Sequence, residues 1–270
     1  MPKILVISDL HINIKDSSND FLFEDEEFIS YLERCHQIYD YIISNGDSLD
    51  LEERGSQSQE DKYKEIELAR PKLISYLIKS LLMCSGDFQI DLTKPNPSVK
   101  KCIFVAGNHD WHLQKILPNH VCQSITLRTA TQSIHILHCH QADVFFGKKT
   151  SCLGNCITRG NYLCEKYIYK DFDLVANNIH HCFNPKDDMI YENYAIKLHQ
   201  TQKYDCIVTS HTHRAYLKRI DKLLYCNTRS VCNKTTIDTM DKIVLDVSSI
   251  SIKATHLPGN MAMLINNIGL

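Results

Sequence analysis

Five short fragments hold the residues of this chain best suited to chemistry. They are Asp9-Leu10-His11, Gly46-Asp47-Ser48-Leu49-Asp50, Gly107-Asn108-His109-Asp110, His138-Cys139-His140 and His211-Thr212-His213. Carboxylate, amide and imidazole groups are the donors that Mn2+, Fe2+ and Zn2+ take. Two such cations, about 3.5–4 Å apart, need a carboxylate that gives one oxygen to each and further ligands on both sides. Each fragment is weak by itself. An Asp after a strand commonly caps a helix or turn, and Asn108-His109-Asp110 could be an ordinary turn. All five in one chain point to metal-assisted chemistry on a phosphoryl centre.

The elements that must position these residues are legible around them. Each fragment follows a β-type run, beginning with Lys3 to Ser8, whose continuous apolar character suits a strand buried on both faces. Strands hold ligand positions rigidly while the loops after them turn side chains towards a common point. Further strands are expected at 41–45, 101–106, 125–128, 133–137, 205–209, 215–220, 223–226 and 242–254. Phe28, Leu32, Cys35 and Tyr39 recur at helical spacing, and Lys64 to Cys84 reads as one long helix bent at Pro71. Residues 148–200 lose the strand alternation and read as an insertion or cap, largely helical. The main domain is expected over 1–257, with 258–270 as a loosely held tail.

Composition narrows the function classes. A chain of 270 residues with 43% hydrophobic and 23% charged content can bury a large core. The net charge of −2 supplies no field favouring nucleic acid or an anionic membrane. No stretch approaches the ~20 apolar residues of a membrane span, and the apolar start is too short for a signal peptide, so a cytoplasmic protein is expected. Twelve cysteines in such a chain are expected to be reduced, those in apolar runs packing as small hydrophobes. Cys152, Cys156, Cys164, His180, His181 and Cys182 could form a structural zinc site, but their spacing matches no common pattern. His135 reads as a core residue, and His36, His112, His120, His199 and His256 as surface groups.

The set Asp-x-His, Gly-Asp-x-x-Asp, Gly-Asn-His-Asp, His-x-His and His-Thr-His resembles the calcineurin-like metallophosphoesterase superfamily from residue 3 to about 254, the segment 148–200 excepted. The resemblance implies an α/β fold, a four-layer α/β/β/α sandwich of two mixed β-sheets flanked by helices, with a mainly helical cap. It implies a hydrolase with two divalent metal ions, manganese first and iron(II) or zinc as alternatives. Asp9, His11 and His213 would hold one ion, Asp47 would bridge, and Asn108, His138 and His211 would hold the other. His109 would act on the scissile phosphate and Asp110 would orient the imidazole of His109. A hydroxide shared by the two cations would attack the ester or anhydride directly. His138 is the expected ligand of its pair, with His140 outside it as a substrate-binding candidate.

The chain departs from the family pattern in places. Cys139 replaces a small Gly and could narrow the site, Ser210 replaces the Gly before His-x-His, and Arg229 stands where Gly is expected, where it could instead reach a bound phosphate. The phosphate-clamping Arg of the Ser/Thr protein phosphatases is absent after Asp50. The spacing is more similar to the bacterial-type branch that includes UDP-2,3-diacylglucosamine diphosphatases. The expected partner is a phosphorylated substrate. A protein phosphatase acting on phosphoserine, phosphothreonine or phosphotyrosine is the alternative, followed by a nuclease or phosphodiesterase. A binding module without catalysis would require lost ligands, and none is lost.

Overall fold

A computed structural model describes residues 3–15, 21, 23–51, 58–94, 101–142, 187–213, 216–228, 242–246 and 251–255. Its strands are β1 (Lys3–Ile7), β2 (Tyr41–Asn45), β3 (Asp87–Asp91), β4 (Lys101–Val105), β5 (Val121–Cys122), β6 (Ser124–Arg128), β7 (Ser133–Leu137), β8 (Cys206–Thr209), β9 (Tyr216–Ile220), β10 (Leu223–Asn227), β11 (Lys242–Asp246) and β12 (Ser251–Thr255). The helices are α1 (Asp25–Ile38), α2 (Gln59–Ala69), α3 (Pro71–Ser80), α4 (Leu113–Ile116) and α5 (Asp187–Gln202). One sheet has the order β12-β11-β1-β2-β4-β5 and the other β3-β6-β7-β8-β10-β9, both mixed in direction.

Strand periodicity builds the layers. Ile4 and Val6 of β1, Ile43 of β2 and Ile103 of β4 point into the space between the sheets, meeting Ile125, Ile136, Val208 and Leu224. The alternate residues Leu5, Ile7, Ile42 and Phe104 face the other way and pack with α1 and α3. On the far side, Leu137, Ile207 and Tyr225 pack with Tyr191 and Ala195 of α5. Four layers result, α/β/β/α, as the resemblance implied. Cys84, Cys122, Cys206 and Cys226 fill the inter-sheet core as free thiols, the role expected of cysteines in apolar runs.

Three expectations change. The helix at 64–84 is two helices, because Pro71 offers no N–H and drives Arg70 out of helical geometry, to φ −134°, ψ 53°. Residues 187–200, assigned to the cap, belong to α5, which buries Tyr191 and Ala195 against the second sheet as an ordinary layer helix. The rest of the expected cap, the cysteine group within it and the tail lie outside the described residues. His36 is buried, with Nε2 3.5 Å from Cys102 Sγ, rather than at the surface.

His135 is a core residue, its ring stacked 4.3 Å from Tyr204 and its Nδ1 3.0 Å from Thr126 Oγ1. Burial pushes its imidazole down to about 4, against a weaker upward pull from Asp87. The unfolded chain therefore binds more protons than the fold between pH ~6.5 and ~4. Stability from this site is complete above that window and lost as pH falls through it. Urea titrations at pH 7 and pH 5 should show a loss of about 2 kcal/mol that His135→Gln removes. An unchanged pH slope in that variant would contradict the assignment.

Candidate metal centre

All five fragments leave strand ends on one side of the sandwich. The parallel register Ile7↔Ser44 and Asn45↔Val105 carries Asp9, Asp47 and Gly107 out of the first sheet together. The parallel register Ile136↔Val208 does the same for His138 and His211 in the second sheet. Backbone bonds then lock the first two turns: Asp9 N–H donates to Gly46 O (3.1 Å), His11 N–H to Asp47 O (2.9 Å) and Asp50 N–H to Ile12 O (3.1 Å).

The turns are tight enough to strain their residues. Asp9, His11, Asp47, His211 and His213 all have φ between 49° and 76°. Non-glycine residues in such regions cost about 1–3 kcal/mol each and cluster where function fixes them. Gly46 has φ 89°, and a Cβ there would overlap the His138 ring. A Cβ on Gly107 would overlap Asp47 Oδ1 and its backbone nitrogen. Both glycines let one ligand turn approach another.

Three donor groups result, each with ligand atoms within 4.8 Å of one another: Asp9, His11 and His213; Asp47, His138 and His211; and His11, Asp50 and His109. In the first, His213 Nε2 lies 3.2 Å from Asp9 Oδ1. In the second, His138 Nε2 lies 3.1 Å from Asp47 Oδ2 and 3.0 Å from Asn108 Oδ1. The third turns on one oxygen, because Asp50 Oδ1 is 2.9 Å from both His11 Nδ1 and His109 Nδ1. Asp47 Oδ1 accepts the His109 backbone N–H at 2.9 Å.

Four carboxylates, Asp9, Asp47, Asp50 and Asp110, are buried together here. Burial opposes ionisation of Asp9 and Asp47, but imidazoles outweigh it: His213 for Asp9, and His138 with His109 for Asp47, whose pKa is held well below the usual carboxylate range. His138 answers in kind. Burial disfavours its charge, yet Asp47 raises its pKa to about 9. A proton on His138 thus supplies positive charge among oxygen and nitrogen donors that suit a divalent cation, and a metal ion would displace it. The donor set fits metal. His138 Nδ1 contacts Asn45 O (2.9 Å), and His11 Nδ1 contacts Asp50, so Nε2 of each would be the atom offered to a metal.

Asp110 does not orient His109. Its Oδ1 accepts the Gly107 N–H (2.7 Å), and Oδ2 accepts those of Ser48 (2.6 Å) and Leu49 (3.3 Å). Those bonds tie the Gly-Asn-His-Asp turn to the Gly-Asp turn, and the carboxylate beside the His109 ring is Asp50. Burial, then repulsion from Asp47, lifts Asp110 to about 6. Cys139 does not narrow the site either, for it sits at φ 79° in the cluster beneath α5. The Ser210 hydroxyl donates to Asn45 O (2.5 Å) and lies 2.8 Å from His138 Nδ1, a bracing contact that the Gly-to-Ser change gave no hint of. His140 lies outside both ligand groups, its ring centroid 5.6 Å from that of His138. Arg229 lies outside the described residues.

Residues 2–215 match the family model for calcineurin-like phosphoesterases. Against proteins of curated function the sequence finds no match. A solved structure of a conserved Streptococcus pneumoniae protein, termed a predicted phosphoesterase, aligns at 13% identity and TM-score 0.41, covering 96% of this chain and 94% of that one. Vps29 of Entamoeba histolytica complexed with zinc aligns at 11% and 0.39, covering 91% and 86%. An archaeal phosphodiesterase aligns at 14% and 0.35, covering 93% and 96%. With the family model spanning most of the sequence, the chain belongs to the calcineurin-like phosphoesterase family and is a metal-dependent hydrolase of phosphate esters.

Proposed function

We propose that the centre holds two divalent cations and hydrolyses a phosphate ester or anhydride without a covalent enzyme intermediate. The observation that carries this reading is the convergence of two separate donor groups, Asp9/His11/His213 and Asp47/His138/His211, at the ends of strands from two sheets. Asp47 would bridge them, because its oxygens face His138 on one side and its charge is held by His11 as well as His109. Asn108 would complete the second group through Oδ1. Cations bound there supply charge neutralisation of the phosphoryl oxygens and an acidified water.

The chain's own residues do the rest. Asp50 Oδ1 stands 2.9 Å from His109 Nδ1, and Nε2 would serve the leaving oxygen. Burial disfavours a charged His109, but attraction from Asp47 and contact with Asp50 raise its pKa, so it can donate a proton. Asp110 fixes the spacing of the two turns. Manganese is the first metal to supply, with iron(II) and zinc next, since oxygen and imidazole donors suit all three. A cytoplasmic setting accords with the seven buried free cysteines among the described residues. No helix among those residues is long and apolar enough to cross a membrane.

The test is Mn2+-dependent hydrolysis of p-nitrophenyl phosphate and bis-p-nitrophenyl phosphate, with Asp47→Asn as the blank. Turnover of either that is lost on chelation and in the variant supports the proposal, and the preferred ester assigns the mono- or diester class. Equal rates in wild type and Asp47→Asn would contradict it.

A further inference from the structure

The turn that carries His109 continues into the only tryptophan of the chain. Asp110 is buried and held by three backbone N–H groups, Leu113 is fully buried, and Leu113 N–H closes the turn on Asp110 O at 2.8 Å. Between these two anchors Trp111 points outward, 46% exposed. The His112 ring lies against it, centroid 3.6 Å away and tilted by 49°, and Lys115 Nζ stands 5.9 Å from the indole centroid. A rigid backbone thus presents an aromatic surface and a nearby cation two residues from His109.

We propose that Trp111 is the leaving-group subsite of this centre and that it takes a planar, aromatic leaving group such as a nucleoside. This rests on the phosphoesterase reading above. If His109 protonates the leaving oxygen, the leaving group departs on the side of its own turn, where the next exposed side chain is Trp111. Among the described residues the other exposed large apolar side chains are Ile38, Leu68, Met83, Met189 and Ile190, and none of them lies on a turn that carries a site residue. An indole face binds any nucleobase by stacking, without reading its hydrogen-bond edge. Lys115 adds positive charge beside the ring, which suits a ligand carrying phosphate. The subsite sets leaving-group class rather than base identity.

The sole indole also supplies the readout. Adenosine 5′-monophosphate and ribose 5-phosphate share the phosphate and sugar and differ in the base. In Mn2+-loaded protein, adenosine 5′-monophosphate should quench Trp111 fluorescence and bind about tenfold more tightly by calorimetry than ribose 5-phosphate. Trp111→Ala should abolish the difference while keeping ribose 5-phosphate binding, and Trp111→Phe should restore most of it. Equal affinities in wild type, or a preference that survives in Trp111→Ala, would overturn the subsite and leave the phosphoesterase reading standing. If neither compound bound, the phosphate site itself would be absent and both readings would fall.

Discussion

His109→Ala is expected to lower kcat by about 10²–10⁴-fold while metal content and folding stay as in wild type. The side chain is 14% exposed, so it reaches the mouth of the site, and it belongs to neither of the donor groups assigned to metal. It does belong to a third group with His11 and Asp50, and geometry alone would let that group bind an ion too. The closeness of one Asp50 oxygen to both rings argues for a carboxylate that supports the charge of His109 instead. Kinetics with parallel metal analysis decide the matter. Loss of rate with metal retained supports a proton donor, whereas loss of both would make His109 a ligand and require the mechanism to be redrawn.

Arg70→Leu should destabilise the fold by about 3–5 kcal/mol, the range for removing one member of a buried ion pair. Arg70 and Asp25 are both buried, with Nη1 2.8 Å from Oδ1. The same guanidinium donates from Nε to Asn13 O (2.5 Å), from Nη1 to Phe23 O (3.3 Å) and from Nη2 to Phe21 O (3.4 Å). Its carbon lies 4.9 Å from the Phe21 ring centroid. One side chain at the α2–α3 break therefore clamps the segment that follows Asp9 and His11. Lys offers a point charge rather than a planar fork, so Arg70→Lys should recover only part of the loss. Urea denaturation measures both variants, and a change below 1 kcal/mol in Arg70→Leu would show that the clamp is not needed.

The ligand-bearing strands were legible because their signal is local. An apolar run ending in Asp, Asn or His needs only a period of two and a turn, and the fragments after β1, β2, β4, β7 and β8 all met that description. β3 was missed because it lies at a sheet edge, with only Ile90 of its five residues buried. The break at Arg70 was read as a bend, since sequence shows the proline but not that a buried Asp25 and three carbonyls await the residue before it.

The second carboxylates were the harder part. Asp50 and Asp110 each close their motif, and spacing cannot say which one faces an imidazole and which one holds backbone N–H groups. That depends on how two turns from different strands meet. Cys139 shows the same limit: its neighbours in sequence are two site histidines, while its neighbours in space are Tyr191 and Leu223. Ser210 likewise showed only a replaced Gly in the sequence, whereas β8 brings its hydroxyl against Asn45 and His138.

The central claim is a pair of cations bridged by Asp47. Metal analysis of the Mn2+-loaded, desalted protein beside Asp47→Asn tests it most directly. Two manganese ions per chain in wild type and fewer than one in the variant, with hydrolysis lost in step, is the predicted result. A single ion in fully active wild type, or two ions retained by Asp47→Asn, would contradict it.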